Sequence, residues 1–253
     1  MIEYEVKGRV AVITINRPEA RNAINGEAAA GIEDAIDRIE ADGEVWVGVI
    51  AGTGPVFCAG ADLKTIASGG AGAITTARGG FAGIAARERT KPIIAAVEGP
   101  ALAGGTEIVL SCDLVVASTA ASFGIPEVKR SLIAGAGGLF RLPRVLPRNL
   151  AMELALTGDP ITAERAAHFG LVNTLVEPGQ ALAEAMTLAE RITANAPIAV
   201  RLSREVVLAA QSADDEHLWK ITGAAMVNVM STEDFQEGPL AFIEKRPPSW
   251  QGR

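Results

Sequence analysis

Two short, apolar, β-branched runs at 45–51 and 93–97 constrain this chain most, because they have the character of strands buried on both faces. A shorter run at 114–117 is a further candidate. Upstream, 2–6 and 9–15 read as strands joined by a turn at Lys7 and Gly8. Between these strands, 25–41 has helical spacing, with Ile32, Ile36 and Ile39 on one face and Glu33, Asp34, Asp37 and Arg38 largely opposite. This recurring strand, turn, helix order is what a layered α/β core requires. From 144 onward the pattern turns helical: 149–156, 162–169, 180–194, 197–211, 213–230 and 232–244, with 171–176 as an extended break. Thr162, three residues before Arg165, has the look of an N-cap without a full capping box. Periodicity therefore gives an α/β region followed by a helical one.

Three glycine-flanked segments carry the chemistry: FCAGADLK at 57–64, GPALAGGTE at 99–107 and FGIPEV at 123–128. Small residues let backbone N–H groups approach a ligand closely, and a helix opening at such a turn aims unpaired N–H groups at it. Two such turns can hold a developing oxyanion between them. The third segment sets Glu127 twenty residues after Glu107. Two carboxyls then supply an acid and a base beside an activated carbonyl.

These segments resemble the enoyl-CoA hydratase (crotonase) superfamily, and the resemblance runs from NRPEARNA at 16–23 to FIEKR at 242–246. AGAGG at 134–138 and FGLVN at 169–173 follow in the family's order. The run EDFQEGPLAFIEKR at 233–246 is also similar to the carnitinyl-CoA dehydratase branch. The resemblance implies an α/β fold: a crotonase-like ββα spiral core over 1–195, then a helical C-terminal trimerisation region over 196–253. It also implies a homotrimer or a dimer of trimers.

The same resemblance assigns the site. The oxyanion N–H groups belong to Ala61 and Gly104, and Glu107 and Glu127 hold the water that is added. Gly135 matches a glycine whose N–H helps to place that water. Coenzyme A, as part of the thioester substrate, is met by backbone at Ala20, Arg21, Ala59 and Gly60, with Lys64 nearby. Phe242 and Lys245 match positions that approach the nucleotide of a neighbouring subunit. Asp62 fixes its turn by bonding local N–H groups. Two departures stand out: Ala103 replaces the first of three glycines, and Ala134 replaces the proline common before the GAGG run. The small residues of 67–83 are expected to border the acyl pocket.

Bulk properties narrow the alternatives. A formal net charge of −7 argues against nucleic acid or anionic membrane as a partner. No apolar stretch approaches the roughly 20 residues that span a bilayer, and the start MIEYEV lacks a signal-peptide pattern; the cytosol is the expected location. Cys58 and Cys112 read as buried reduced thiols. With only His168 and His217 as histidines, and His168 reading as structural, no metal is expected. GxxxxGK[ST] is absent. The reading is an enoyl-CoA hydratase without metal or redox cofactor. Its alternatives are a carnitinyl-CoA or sterol-side-chain CoA hydratase, and a non-catalytic acyl-CoA-binding protein.

Overall fold

The computed structural model describes residues 1–253, except for the side chain of Ala71. Strands β1 (Ile2–Lys7) and β2 (Val10–Ile15) pair antiparallel around Gly8, whose φ of 59° suits glycine. Helix α1 (Gly26–Ala41) is capped by Asn25, whose Oδ1 accepts the Ala28 N–H at 2.9 Å, and the chain returns along β3 (Val47–Gly52), parallel to β2. A single helical turn, α2 (Leu63–Thr65), precedes a hairpin of β4 (Thr75–Thr76) and β5 (Gly80–Phe81). Then come β6 (Ile93–Val97), β7 (Ala101–Leu102), α3 (Gly104–Ser111), β8 (Leu114–Ser118) and β9 (Ser122–Gly124). Next are α4 (Gly138–Val145), α5 (Arg148–Thr157), β10 (Ile161–Thr162), α6 (Ala163–His168) and β11 (Thr174–Val176). Four helices follow: α7 (Ala181–Thr193), α8 (Pro197–Ala209), α9 (Asp215–Met230) and α10 (Asp234–Glu244).

The large sheet runs β1-β2-β3-β6-β8-β11, in chain order and parallel from β2 onward. A second sheet, β10-β9-β7, takes the short strand that follows each of β6 and β8. The chain thus steps from the large sheet to the small one and back through helices, advancing one strand per turn. That is a ββα spiral.

Alternation along the strands explains why the central runs carry so little polarity. Ile93, Ala95 and Val97 of β6 face a core shared with Ile32, Ile36 and Ile39 of α1 and with Ile108 and Val109 of α3. Ile94 and Ala96 point to the opposite face, where α7 lays Ala185 and Ala189 on Val47, Val49 and Val116. Fully burying one such isoleucine contributes roughly 1.5–3 kcal/mol. β6 and α1 match the sequence expectation within one residue; β3 begins two residues late, after the N–H of Trp46 has bonded Arg9 O at 2.8 Å. The two- and three-residue strands β7, β9 and β10 are too short to carry a period, and α4 carries no helical signal either. It opens in glycines and contains Pro143, yet its first N–H, that of Gly138, donates to a carboxylate from another helix.

The C-terminal region is tied to the core. Arg204 of α8 donates to Asp113 Oδ1 at 2.8 Å and to Arg89 O at 2.7 Å, and Trp250 Nε1 donates to Ala194 O at 2.8 Å. Helix α9 buries no residue, and Trp219, Phe242 and Ile243 are 77%, 85% and 75% exposed. Among the described residues no helix is long and apolar enough to cross a membrane.

Candidate active site

The site begins where two loops touch backbone to backbone. Leu102 N–H donates to Cys58 O at 3.0 Å, and Phe57 N–H donates to Pro100 O at 3.1 Å. A Cβ on Gly105 would lie 2.1 Å from Cys58 O, and one on Gly60 would lie 3.0 Å from the Gly104 nitrogen. Glycine is required at Gly105 because backbone occupies the space of a side chain, and at Gly60 because its φ is 92° and the Ala103 methyl and Gly104 backbone crowd the site.

Ala61 sits in a parallel bridge with Ile24, in which Gly60 O accepts from Ile24 and Asp62 N–H donates to Ile24 O, both at 2.8 Å. The Ala61 N–H therefore points the other way. Gly104 opens α3, so its N–H has no partner within the helix. Neither N–H finds an acceptor among the described residues, and both residues line a cavity of about 680 Å³.

Asp62 holds this loop as its sequence position implied. Oδ1 accepts the Lys64 N–H at 3.0 Å and Oδ2 pairs with Arg17 at 3.1 Å. Ala103 joins the second loop at φ 52°, ψ −127°, a conformation that favours glycine. Its methyl lines the cavity.

Glu107, in the first turn of α3, is 3% exposed. Its Oε1 accepts the N–H groups of Ala136 and Gly138, at 2.7 and 2.9 Å, so the AGAGG run caps a carboxylate. Burial raises the Glu107 carboxyl above the ordinary range, while the two N–H groups and Arg141 pull it back. Glu127 lies in the 3₁₀ turn Pro126–Arg130 and faces the same cavity. Its Oε2 is buried with no hydrogen-bond partner. Burial pushes this carboxyl up to about 7, and the charge of Glu107 adds to the effect. Gly135 lines the cavity as well, and its N–H has no acceptor among the described residues.

The residues expected to meet coenzyme A divide into two groups. Ala59 N–H donates to Arg21 O at 3.0 Å, which brings 20–21 beside 59–60, and Ala59 lines the cavity. Buried Asn22 fixes this neighbourhood by donating to Thr53 O and Val56 O at 2.8 and 2.7 Å. The side chains of Arg21 and Lys64 are exposed and do not line the cavity, nor do Phe242 of α10 and Lys245 just after it. Within one chain, the structure unites the two glycine-flanked loops and both glutamates but leaves α10 apart from them.

The apolar wall comes from Leu63, Ile66, Ile74, Phe81, Leu132 and Phe140. From 67–83 it is Ile74, Thr75, Gly80 and Phe81, rather than the small residues alone, that border the cavity. Phe81 rests against Gly104, where an added Cβ would meet its ring at 2.4 Å. Sequence reasoning also missed Thr106, whose buried hydroxyl accepts the Gly124 N–H at 3.0 Å and reaches the carbonyls of Ala101 and Gly124. A hydroxyl directly before Glu107, inside an otherwise apolar helix start, was the available signal.

The chain belongs to the enoyl-CoA hydratase/isomerase family, whose model matches residues 5–253. It is 40% identical to enoyl-CoA hydratase EchA19 of Mycobacterium tuberculosis, over 98% of this chain and 96% of that protein. It is 36% identical to carnitinyl-CoA dehydratase of Proteus mirabilis, over 100% of this chain and 98% of the relative. The crystal structure of an enoyl-CoA hydratase from Mycobacterium tuberculosis H37Rv superposes with a TM-score of 0.96 at 46% identity, covering 100% of this chain and 99% of that one.

Proposed function

We propose that this chain adds water across the double bond of a 2-enoyl-CoA thioester to give the 3-hydroxyacyl-CoA. One observation carries the reading: the buried, unpartnered Oε2 of Glu127 shares a cavity with Glu107 and with two free backbone N–H groups. In this reading the thioester oxygen sits between the N–H groups of Ala61 and Gly104. It gains negative charge as C3 is attacked, and fixed dipoles stabilise that charge more than the ground-state carbonyl. Ionised Glu107 draws a proton from a water held by both carboxyls, and the water oxygen bonds to C3. Protonated Glu127 gives its proton to C2 on the same face. Gly135 N–H assists in placing the water.

Ala20, Arg21, Ala59, Gly60 and Lys64 are assigned to the coenzyme A portion, and no further cofactor is part of this reading. Phe242 and Lys245 are assigned to the nucleotide of a neighbouring subunit, with residues 196–253 as the trimerisation region of a homotrimer or dimer of trimers. The apolar side chains left uncovered on α9 and α10 support that assembly. A cytosolic location fits two cysteines that form no disulfide. A narrower substrate, carnitinyl-CoA, is the second reading; it is favoured by the C-terminal run 233–246 and by the relative named for that activity.

Incubation with crotonyl-CoA in ¹⁸O-water tests the proposal. Hydration places one label on C3 of the product, and parallel runs with long-chain and crotonobetainyl thioesters rank the acyl classes by kcat/KM. An isomerised, unlabelled product or tight binding without turnover contradicts it.

A further inference from the structure

Two carboxyls in one cavity, Glu107 buried and Glu127 half-buried, need something to tell them apart, and the difference lies behind Glu107. Arg141, in the first turns of α4, stands on the far side of the turn that caps this carboxylate. Its Nη2 donates to Ala85 O at 2.6 Å and its Nη1 approaches Ala136 O at 3.4 Å. A Cβ on Gly137 would lie 2.6 Å from Nη1, whereas one on Gly138 would lie 3.2 Å from Glu107 Oε1. The guanidinium and the carboxylate thus clasp one short turn from its two sides.

The charge on Arg141 is otherwise unmatched. Arg89 and Arg204 share Asp113 at 3.1 and 2.8 Å, but Arg141 has no carboxylate within ion-pair distance among the described residues. It lines the catalytic cavity and also a neighbouring one of about 820 Å³, where Arg89, Arg144 and Cys112 face it. Glu107 faces Arg141 from α4 and Glu127 from the 3₁₀ turn, while Cys58 behind the loop stays a neutral thiol, pushed up to about 12 by burial. Lys129 and Arg130 also line the cavity, and Lys129 is engaged by Asp159 at 2.5 Å.

We propose that Arg141 is a positioning residue: it braces the 136–138 turn onto Glu107 and holds that carboxylate ionised, making Glu107 the base and leaving Glu127 as the acid. The role rests on the hydratase reading. A guanidinium suits the task because its planar fork reaches carbonyls on two separate loops, which an ammonium on a flexible stem does not. Glu127 has no cation or pair of N–H groups of its own on Oε2, so burial acts on it without opposition at that oxygen.

The test uses full-length Arg141→Met and Arg141→Lys. Carboxyl ¹³C titration follows Glu107 in the free protein, assigned by its loss in Glu107→Gln, and crotonyl-CoA hydration gives kcat and KM against pH. Arg141→Met is expected to raise the Glu107 midpoint by about one unit or more, a tenfold change in its ratio of ionised to neutral form at a given pH. The acid limb of kcat moves up with it, and KM changes little. Arg141→Lys restores the midpoint and leaves kcat below wild type, since charge returns without the brace. A folded Arg141→Met protein with an unmoved Glu107 midpoint overturns the proposal. Should that variant fail to fold, Arg141→Lys decides, and unchanged kcat overturns the bracing role. In a chain that does not hydrate crotonyl-CoA, the midpoint shift still supports the role of Arg141 at Glu107, and only the hydratase reading falls.

Discussion

Glu107 and Glu127 enter one cavity from separate elements, and their surroundings differ: Glu107 accepts two backbone N–H groups, whereas Glu127 keeps a buried oxygen with no partner. The first environment favours a carboxylate and the second a carboxylic acid.

That difference predicts a pH-dependent stability. The Glu127 carboxyl is raised to about 7 in the folded protein, so the native state holds its proton more tightly than the unfolded chain. The contribution is fully present below the unfolded value and is lost as pH rises through about 7. Glu127→Gln, which stays neutral, is therefore expected to raise Tm at pH 8 and to change it little at pH 4. One unit is worth about 1.4 kcal/mol, so the rise from 4.5 to about 7 sets a ceiling of roughly 3.5 kcal/mol, and solvent screening of this half-buried carboxyl brings the gain at pH 8 to about 1–2 kcal/mol. Equal Tm changes at both pH values contradict the assignment.

Gly104 has no room for a methyl, because the ring of Phe81 lies 2.4 Å from where its Cβ would be. Gly104→Ala is expected to displace the N–H proposed to meet the thioester oxygen and lower kcat by about 10²-fold, the scale of one lost donor. It also lowers Tm. Adding Phe81→Ala should recover the Tm, which separates steric cost from chemical cost. Recovery of neither quantity shows that the clash is not with Phe81.

Ala103 carries a methyl at φ 52°, ψ −127°. Strain of this kind costs on the order of 1–3 kcal/mol, and replacing Ala by Gly returns about 0.4–1 kcal/mol through the unfolded chain. Ala103→Gly should raise stability by about 1 kcal/mol in urea unfolding with an unchanged m value. A destabilised variant shows instead that the loop accepts alanine without strain.

Trp219, Phe242 and Ile243 leave large apolar surfaces on one chain. Light scattering at micromolar concentration should give three or six times the 26.2 kDa chain mass. Phe242→Asp should shift that mass downward, and a wild-type monomer contradicts the assembly.

Much of the frame was legible because burial leaves a period. The apolar runs at 93–97 and 45–51 and the isoleucine stripe of α1 each reflect one geometric repeat, and the structure follows them closely. The loops were legible for another reason: Gly105 stands where another backbone takes the place of a side chain, and Gly60 turns at a φ of 92°. What escaped depends on contacts distant in sequence. Helix α4 opens in glycines and holds Pro143, and its start is satisfied by Glu107, some thirty residues earlier. Likewise Arg141 reads as one more basic residue until Ala85 and Ala136 are seen against its guanidinium. Phe81 lies in a stretch whose composition spoke only of small residues.

The most direct test compares Glu127→Gln with wild type by two readouts, loss of the enoyl-thioester absorbance with crotonyl-CoA and calorimetric affinity for a saturated acyl-CoA. General acid catalysis typically contributes about 10²–10⁴-fold, so kcat should fall by that order while the affinity stays within about threefold. A variant that retains wild-type kcat contradicts hydration by this pair of carboxyls.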